Sequence, residues 1–120
     1  MLKYEHYYDL LGEAKICGSA EDFRGEYGYP ANCHFSSEGL IRMCDIIFAV
    51  AQENWKGVIA LSGTKMAAFA RKYGVPYTSL QKWVTDNETL SRTAPAYVLQ
   101  LIGYAMIAEI PTEAEEADDA

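Results

Sequence analysis

The chain has 120 residues, of which 50% are hydrophobic and 22% are charged, and its formal net charge is −7. This composition is typical of one globular domain and excludes an intrinsically disordered chain. The longest apolar stretches, such as residues 46–51, are too short to cross a bilayer, and the polar first eleven residues do not have the pattern of a secretion signal. We therefore expect a cytoplasmic protein with no membrane partner.

The charge is divided into three blocks along the chain. Residues 1–59 carry five cationic and nine anionic side chains, residues 60–108 carry five cationic and two anionic ones, and residues 109–120 carry six acids and no base. Clustered basic side chains favour nucleic-acid binding. Only the middle block has this property, so the chain as a whole does not have the charge of a nucleic-acid binder.

The sequence contains no pattern that indicates a metal site or an enzyme. Cys17, Cys33 and Cys44 are widely spaced, whereas structural zinc sites use closely paired ligands. We expect free thiols, no metal and no cofactor. No phosphate-binding loop occurs, and no histidine and carboxylate stand at a recognisable catalytic spacing, so we expect no enzymatic activity.

The first half of the chain predicts three helices. The first is short and amphipathic and is expected to end at Gly12, and the second begins with a capping box at Ser19 and ends near Gly28. The third begins after Ser36-Ser37 and has apolar residues at steps of three and four, which indicates a buried stripe. We interpret residues 1–54 as a helical extension that packs on the rest of the chain.

The next segment predicts a helix that carries Trp55 and stops near Gly63, followed by two short helices. The first short helix covers Met66–Tyr73, and the second covers about Tyr77–Val84. Between them, Gly74 can adopt a positive φ angle that ends a helix, and Pro76 suits the first turn of the next one. The inward side chains of the second short helix are expected to be Leu80, Val84 and Trp83, with Trp83 in the core against Phe69 and Val98.

Pro95 predicts the start of a closing helix that is capped by Thr93 or Ala94. The helix is expected to end at Glu109, Ile110 and Pro111. The acidic tail over residues 112–120 has no aliphatic side chain larger than alanine, and we expect it to be disordered. The fold class predicted from this order of elements is all-α, with five to seven helices.

Two short helices joined by a tight turn with a glycine form a helix-turn-helix element. Residues 62–70, 72–76 and 79–83, followed by residues 92–99, resemble the Xre/Cro/C1 repressor family in the order and spacing of several features. The resemblance covers about residues 55–108. It implies a small helical bundle of the lambda-repressor type, whose second motif helix enters the major groove of double-stranded DNA, with binding as a homodimer.

The resemblance implies a function as a bacterial or phage-associated transcriptional regulator. The corresponding candidate DNA-binding residues are Lys65, Arg71, Lys72, Tyr77, Thr78, Ser79, Gln81, Lys82 and Arg92. If the motif does not bind DNA, the same cations are explained as solvent-exposed side chains on the surface of a helix.

Three departures from the family pattern weaken DNA binding in principle, and one of them is a longer connection over residues 85–91 that contains Asp86 and Glu88. Met66 replaces a glutamine that contacts phosphate in the family, and Tyr77 and Thr78 stand where family members often have Lys or Arg. The alternative is therefore a protein-binding module on the same scaffold, such as a phage-encoded inhibitor of the anti-CRISPR kind. Such a module would present clustered carboxylates on its contact surface.

Overall fold

The computed structural model describes residues 2–27, 35–88 and 94–111, and over these ranges the fold is all-α, as predicted. Arg92, Thr93, Cys33 and the acidic tail lie outside the described residues. The helices are α1 (Tyr4–Ile16), α2 (Ala20–Tyr27), α3 (Ser37–Ala51), α4 (Trp55–Ser62), α5 (Met66–Tyr73), α6 (Tyr77–Glu88) and α7 (Ala96–Ala108). None of the described helices combines the length and apolar character that a membrane span needs.

The central element is α3, which packs against α1, α2, α4 and α7. Nine of its fifteen residues are buried. Its start is fixed locally, because the Ser36 hydroxyl accepts a hydrogen bond from the Gly39 amide at 3.1 Å, and this confirms the predicted cap. The predicted cap at Ser19 is also present, with the Asp22 amide donating to the Ser19 hydroxyl at 3.1 Å.

The end predicted for α1 was wrong, because the helix continues past Gly12 to Ile16. Leu11 and Ala14 are buried on either side of the glycine in sequence, while Gly12 itself is exposed. A glycine inside a helix costs about 1 kcal/mol relative to alanine. Burial of the neighbouring apolar side chains outweighs that cost, so the helix does not end there.

Three further expectations in the second half need correction. The helix α6 extends one turn beyond Val84, to Glu88. Trp83, which was expected in the core against Phe69, is half-buried, and its ring lies against Trp55 with 5.4 Å between centroids. The ring of Phe69 lies instead against Tyr73, with 4.9 Å between centroids. The residue that precedes α7 as its N-cap is Pro95, so neither Thr93 nor Ala94 has that position.

The helices α1, α3 and α7 meet at Gly103. A Cβ atom at this position would lie 2.6 Å from Cγ2 of Val50 and 2.7 Å from the hydroxyl oxygen of Tyr7. That hydroxyl is buried and donates a hydrogen bond of 2.6 Å to the backbone oxygen of Gln100. Burial raises the pKa of Tyr7 far above its ordinary value, so the phenol stays neutral and remains a donor.

We predict that Gly103→Ala destabilises the protein although alanine is the better helix former. The added methyl group must displace Val50 or the Tyr7 hydroxyl, at a cost of about 1–3 kcal/mol for overpacking, against a gain in helix propensity of at most about 1 kcal/mol. Urea unfolding followed by circular dichroism measures the change.

Gly12→Ala is the matched control for this prediction. Gly12 is also inside a helix, but a Cβ there meets nothing within 4 Å. This substitution should raise the free energy of unfolding by roughly 0.5–1 kcal/mol. If both variants were stabilised to the same extent, the close approach at Gly103 would be absent in solution.

Candidate nucleic-acid interface

The pair α5 and α6 is held together by a tight turn whose geometry was predicted from the sequence. Gly74 has a φ angle of 71°, in the left-handed region that favours glycine. The amide of Val75 donates to the backbone oxygen of Ala70 at 2.9 Å. This carbonyl group in the last turn of α5 thereby gains a hydrogen-bond partner. Ala70 is buried, and its small side chain lets the two helices come close.

One side of α6 is fixed on the core, and the opposite side faces solvent. Leu80 is completely buried and Val84 is 5% exposed. Thr78 and Lys82, on the other side, are exposed, as is Gln81, and Tyr77 in the first turn is 45% exposed. Ser79 is half-buried, so it contributes less of its surface than the other four. The first two turns of α6 thus carry four solvent-facing polar or aromatic side chains.

The cations of the candidate site lie mainly on α5. Lys65 directly precedes the helix, and Arg71 and Lys72 are in its last turn, and all three are exposed. Lys82 adds a fourth cation from α6. No aspartate or glutamate occurs in the sequence from residue 54 to residue 85, so Lys65, Arg71 and Lys72 have no acidic neighbour along the chain, whereas Lys82 has Asp86 one turn further along α6. The predicted Arg92 lies outside the described residues.

An acid from α7 nevertheless reaches one of these cations. The Lys72 ammonium lies 2.9 Å from Oε2 of Glu109, at the end of α7, and both side chains are about half exposed. The hydrogen bond to Glu109 is the main cause that raises the pKa of Lys72. Lys72 also lies over the ring of Tyr73, 5.5 Å from its centroid. Lys72 is therefore partly compensated, whereas no ion pair involves Lys65, Arg71 or Lys82 within the described residues.

Met66 occupies the position where the family pattern has a phosphate-contacting glutamine. It is the first residue of α5, and its half-buried side chain packs against the hydrophobic core. A thioether cannot donate a hydrogen bond. This position therefore contributes packing instead of a contact to phosphate.

No family model, curated protein or solved structure matches this chain. The resemblance to the Xre/Cro/C1 family therefore stays a prediction from the residues quoted above. Within the described residues, no group of three or more histidine, cysteine, aspartate or glutamate side chains is arranged to hold a metal ion.

A second charged surface is formed by the first half of the chain and lies between α1 and α2. Four carboxylates, together with the side chains of Ile16 and Cys17, line a shallow depression; the acids are Glu13, Glu21, Asp22 and Glu26. Ile16 is 81% exposed at its rim. Desolvation, followed by the nearby carboxylates, raises the pKa of Cys17, which keeps the thiol protonated. Sequence analysis did not identify this surface, because Glu13 of α1 joins the three acids of α2 only in the folded chain.

Proposed function

We propose that the chain binds double-stranded DNA and acts as a transcriptional regulator, with α6 in the major groove. The observation that carries the proposal is the exposed face at the start of α6, where Tyr77, Thr78, Gln81 and Lys82 face solvent while Leu80 holds the helix on the core. A helix fits the width of the major groove, and its first turns are the part that meets base edges in helix-turn-helix proteins.

The side chains on this face are suited to the reading of bases. Gln81 can form a bidentate hydrogen bond with adenine, and Thr78 offers both a hydroxyl and a methyl group, the latter for contact with thymine. The side chain of Tyr77 combines an apolar ring with a polar hydroxyl. These three residues are the proposed base contacts, whereas Lys82 contributes positive charge next to the backbone.

The cations on α5 are suited to phosphate contacts that position the helix. Lys65 lies before the first turn of α5 and Arg71 in the last, so the two can reach phosphates some distance apart. With about three to five phosphate contacts, the slope of log affinity against log salt concentration is expected near −3 to −4.5. The net charge of −7 repels DNA at long range and keeps the affinity modest at physiological salt.

The first test separates phosphate contacts from base contacts. Arg71→Ala or Lys82→Ala should weaken binding to all duplexes and make the salt slope shallower by about 0.9. Tyr77→Ala or Thr78→Ala should instead reduce discrimination between bases at one or two positions, by about 1–3 kcal/mol. Fluorescence anisotropy with a duplex from the region upstream of the gene measures both effects.

Lys3→Ala is the matched control, because Lys3 is an exposed cation at the start of α1. It should leave the salt slope unchanged. If the chain retains no duplex at low salt, either from the upstream region or from a randomised pool, the DNA-binding proposal is wrong.

The second test uses the ion pair between Lys72 and Glu109. Glu109→Gln releases the lysine for a phosphate contact, so binding should tighten and the salt slope should become steeper by about 0.9. Glu5→Gln removes the same charge from the exposed side of α1 and is the control. If the two variants had the same effect on the slope, only net charge would matter, and Lys72 would lie away from the DNA.

A second candidate function is supported by the acidic depression between α1 and α2. Four carboxylates around one concave surface are the arrangement expected of an inhibitor that occupies the basic site of another protein in place of nucleic acid. A short lysine- and arginine-rich peptide serves as the probe. Under this candidate, the double variant Glu21→Gln, Glu26→Gln should lose peptide binding, whereas Arg71→Ala should retain it.

A further inference from the structure

A cleft lies between α1, α2 and α3, and five of its seven lining residues are apolar or aromatic. Its volume is about 320 Å³, at the lower end of the range for small-molecule sites, about 300–1,000 Å³. None of the lining residues belongs to α5 or α6, and none also lines the acidic depression between α1 and α2. The cleft is therefore separate from both candidate sites described above.

The floor of the cleft belongs to the hydrophobic core. Leu40 is completely buried on α3, and Met43, one turn further along, is 3% exposed. Leu2 lines the cleft from the start of the chain, and its backbone oxygen accepts a hydrogen bond of 2.7 Å from the Tyr104 hydroxyl. Leu10 on α1 is half-buried. Because the fold fixes these apolar residues, the cleft is formed before any ligand binds, as small-molecule sites usually are.

A carboxylate stands at the rim of the cleft. Asp9 is exposed on α1, one turn after His6, which also lines the cleft. Neither ion pair found within the described residues uses Asp9. No lysine or arginine lines the cleft, so no fixed positive charge neutralises this carboxylate inside it. The rim therefore favours a positively charged group.

An aromatic ring lines the cleft beside this carboxylate. Tyr27 is half-buried at the end of α2, and its ring packs against Phe23 with 4.9 Å between centroids. Burial, followed by the nearby carboxylate of Glu13, raises the pKa of Tyr27, so the phenol stays neutral. The face of a tyrosine ring attracts cations. The ring and the carboxylate thus select for the same sign of charge.

We propose that this cleft binds a small organic cation, which carries an amine or ammonium group on an aromatic or branched aliphatic body. The apolar body lies against Leu40 and Met43, where its burial stabilises the complex. The cationic group forms a charge-assisted hydrogen bond with Asp9 and lies near the ring of Tyr27.

The charge of the chain favours a cation over other ligands. An anionic ligand is repelled by Asp9 and by the net charge of −7, whereas a cation is attracted at long range. A neutral ligand of the same shape gains only the burial of its apolar body. The inference does not depend on the proposed DNA binding, and the failure of either one leaves the other standing.

The experiment is an NMR titration of the ¹⁵N-labelled full chain with 2-phenylethylamine. The matched control compound is 2-phenylethanol, which has the same body and no charge. The amine should give saturable shifts of the backbone amides around the cleft, with a dissociation constant of about 0.1–1 mM for so small a ligand. The alcohol should bind about three to ten times more weakly, because the carboxylate is exposed and its attraction is screened by solvent.

Two variants divide this binding into its charged and apolar parts. Asp9→Asn should remove the preference for the amine over the alcohol and leave the binding of the alcohol unchanged. Leu10→Trp should fill the cleft and weaken the binding of both compounds by about tenfold or more. Glu38→Gln is the matched control, because it removes one exposed carboxylate from α3 that does not line the cleft.

Several outcomes contradict the proposal. It is wrong if the amine gives no saturable shifts, if the shifts lie outside the cleft, or if the amine and the alcohol bind equally. It is also wrong if Glu38→Gln reduces the preference for the amine as much as Asp9→Asn does, since only net charge then matters. Binding that persists in a folded Leu10→Trp variant overturns it too. If that variant lost its helical circular dichroism, His6→Trp would replace it at the exposed rim.

Discussion

The contact on which the rest of the fold depends is the close approach of α1, α3 and α7 around Gly103. The missing side chain leaves the space that Val50 and the Tyr7 hydroxyl occupy. The hydrogen bond from Tyr7 to the Gln100 oxygen joins residues 93 positions apart, and the Tyr104 hydroxyl makes a second such bond, of 2.7 Å, to the oxygen of Leu2. These contacts close the bundle between its first and last helices. Since α4 packs on both α3 and α7 and in turn contacts α5 and α6, the position of the candidate interface follows from this closure.

Features that depend on a few neighbouring residues could be predicted from the sequence. The bounds of α5, the left-handed Gly74 and the cap at Ser36 were predicted because each is encoded by residues within one turn of it. Gly12 shows the limit of this reasoning, since its local signal for a helix end is overridden by burial of Leu11 and Ala14 against α3. Features between distant parts of the chain could not be predicted. The ion pair of Lys72 with Glu109 joins two helices 37 residues apart, and no local pattern indicates it.

The candidate site likewise combines features that neighbouring residues predict with features that depend on distant parts of the chain. The exposure of Thr78 and Lys82 follows from the helical period once Leu80 is assigned to the core. Tyr77 is three residues before Leu80, on the side that the period assigns to the core, and is nevertheless 45% exposed. Net charge would have given the wrong expectation about this surface, because an acidic chain can still keep its carboxylates away from one face. Here four of the nine acids of the first half line the depression between α1 and α2, and residues 54–85 contain none. The electrostatic potential around α5 and α6 therefore depends on helix packing, which brings Glu109 to Lys72, as well as on the residues of these two helices.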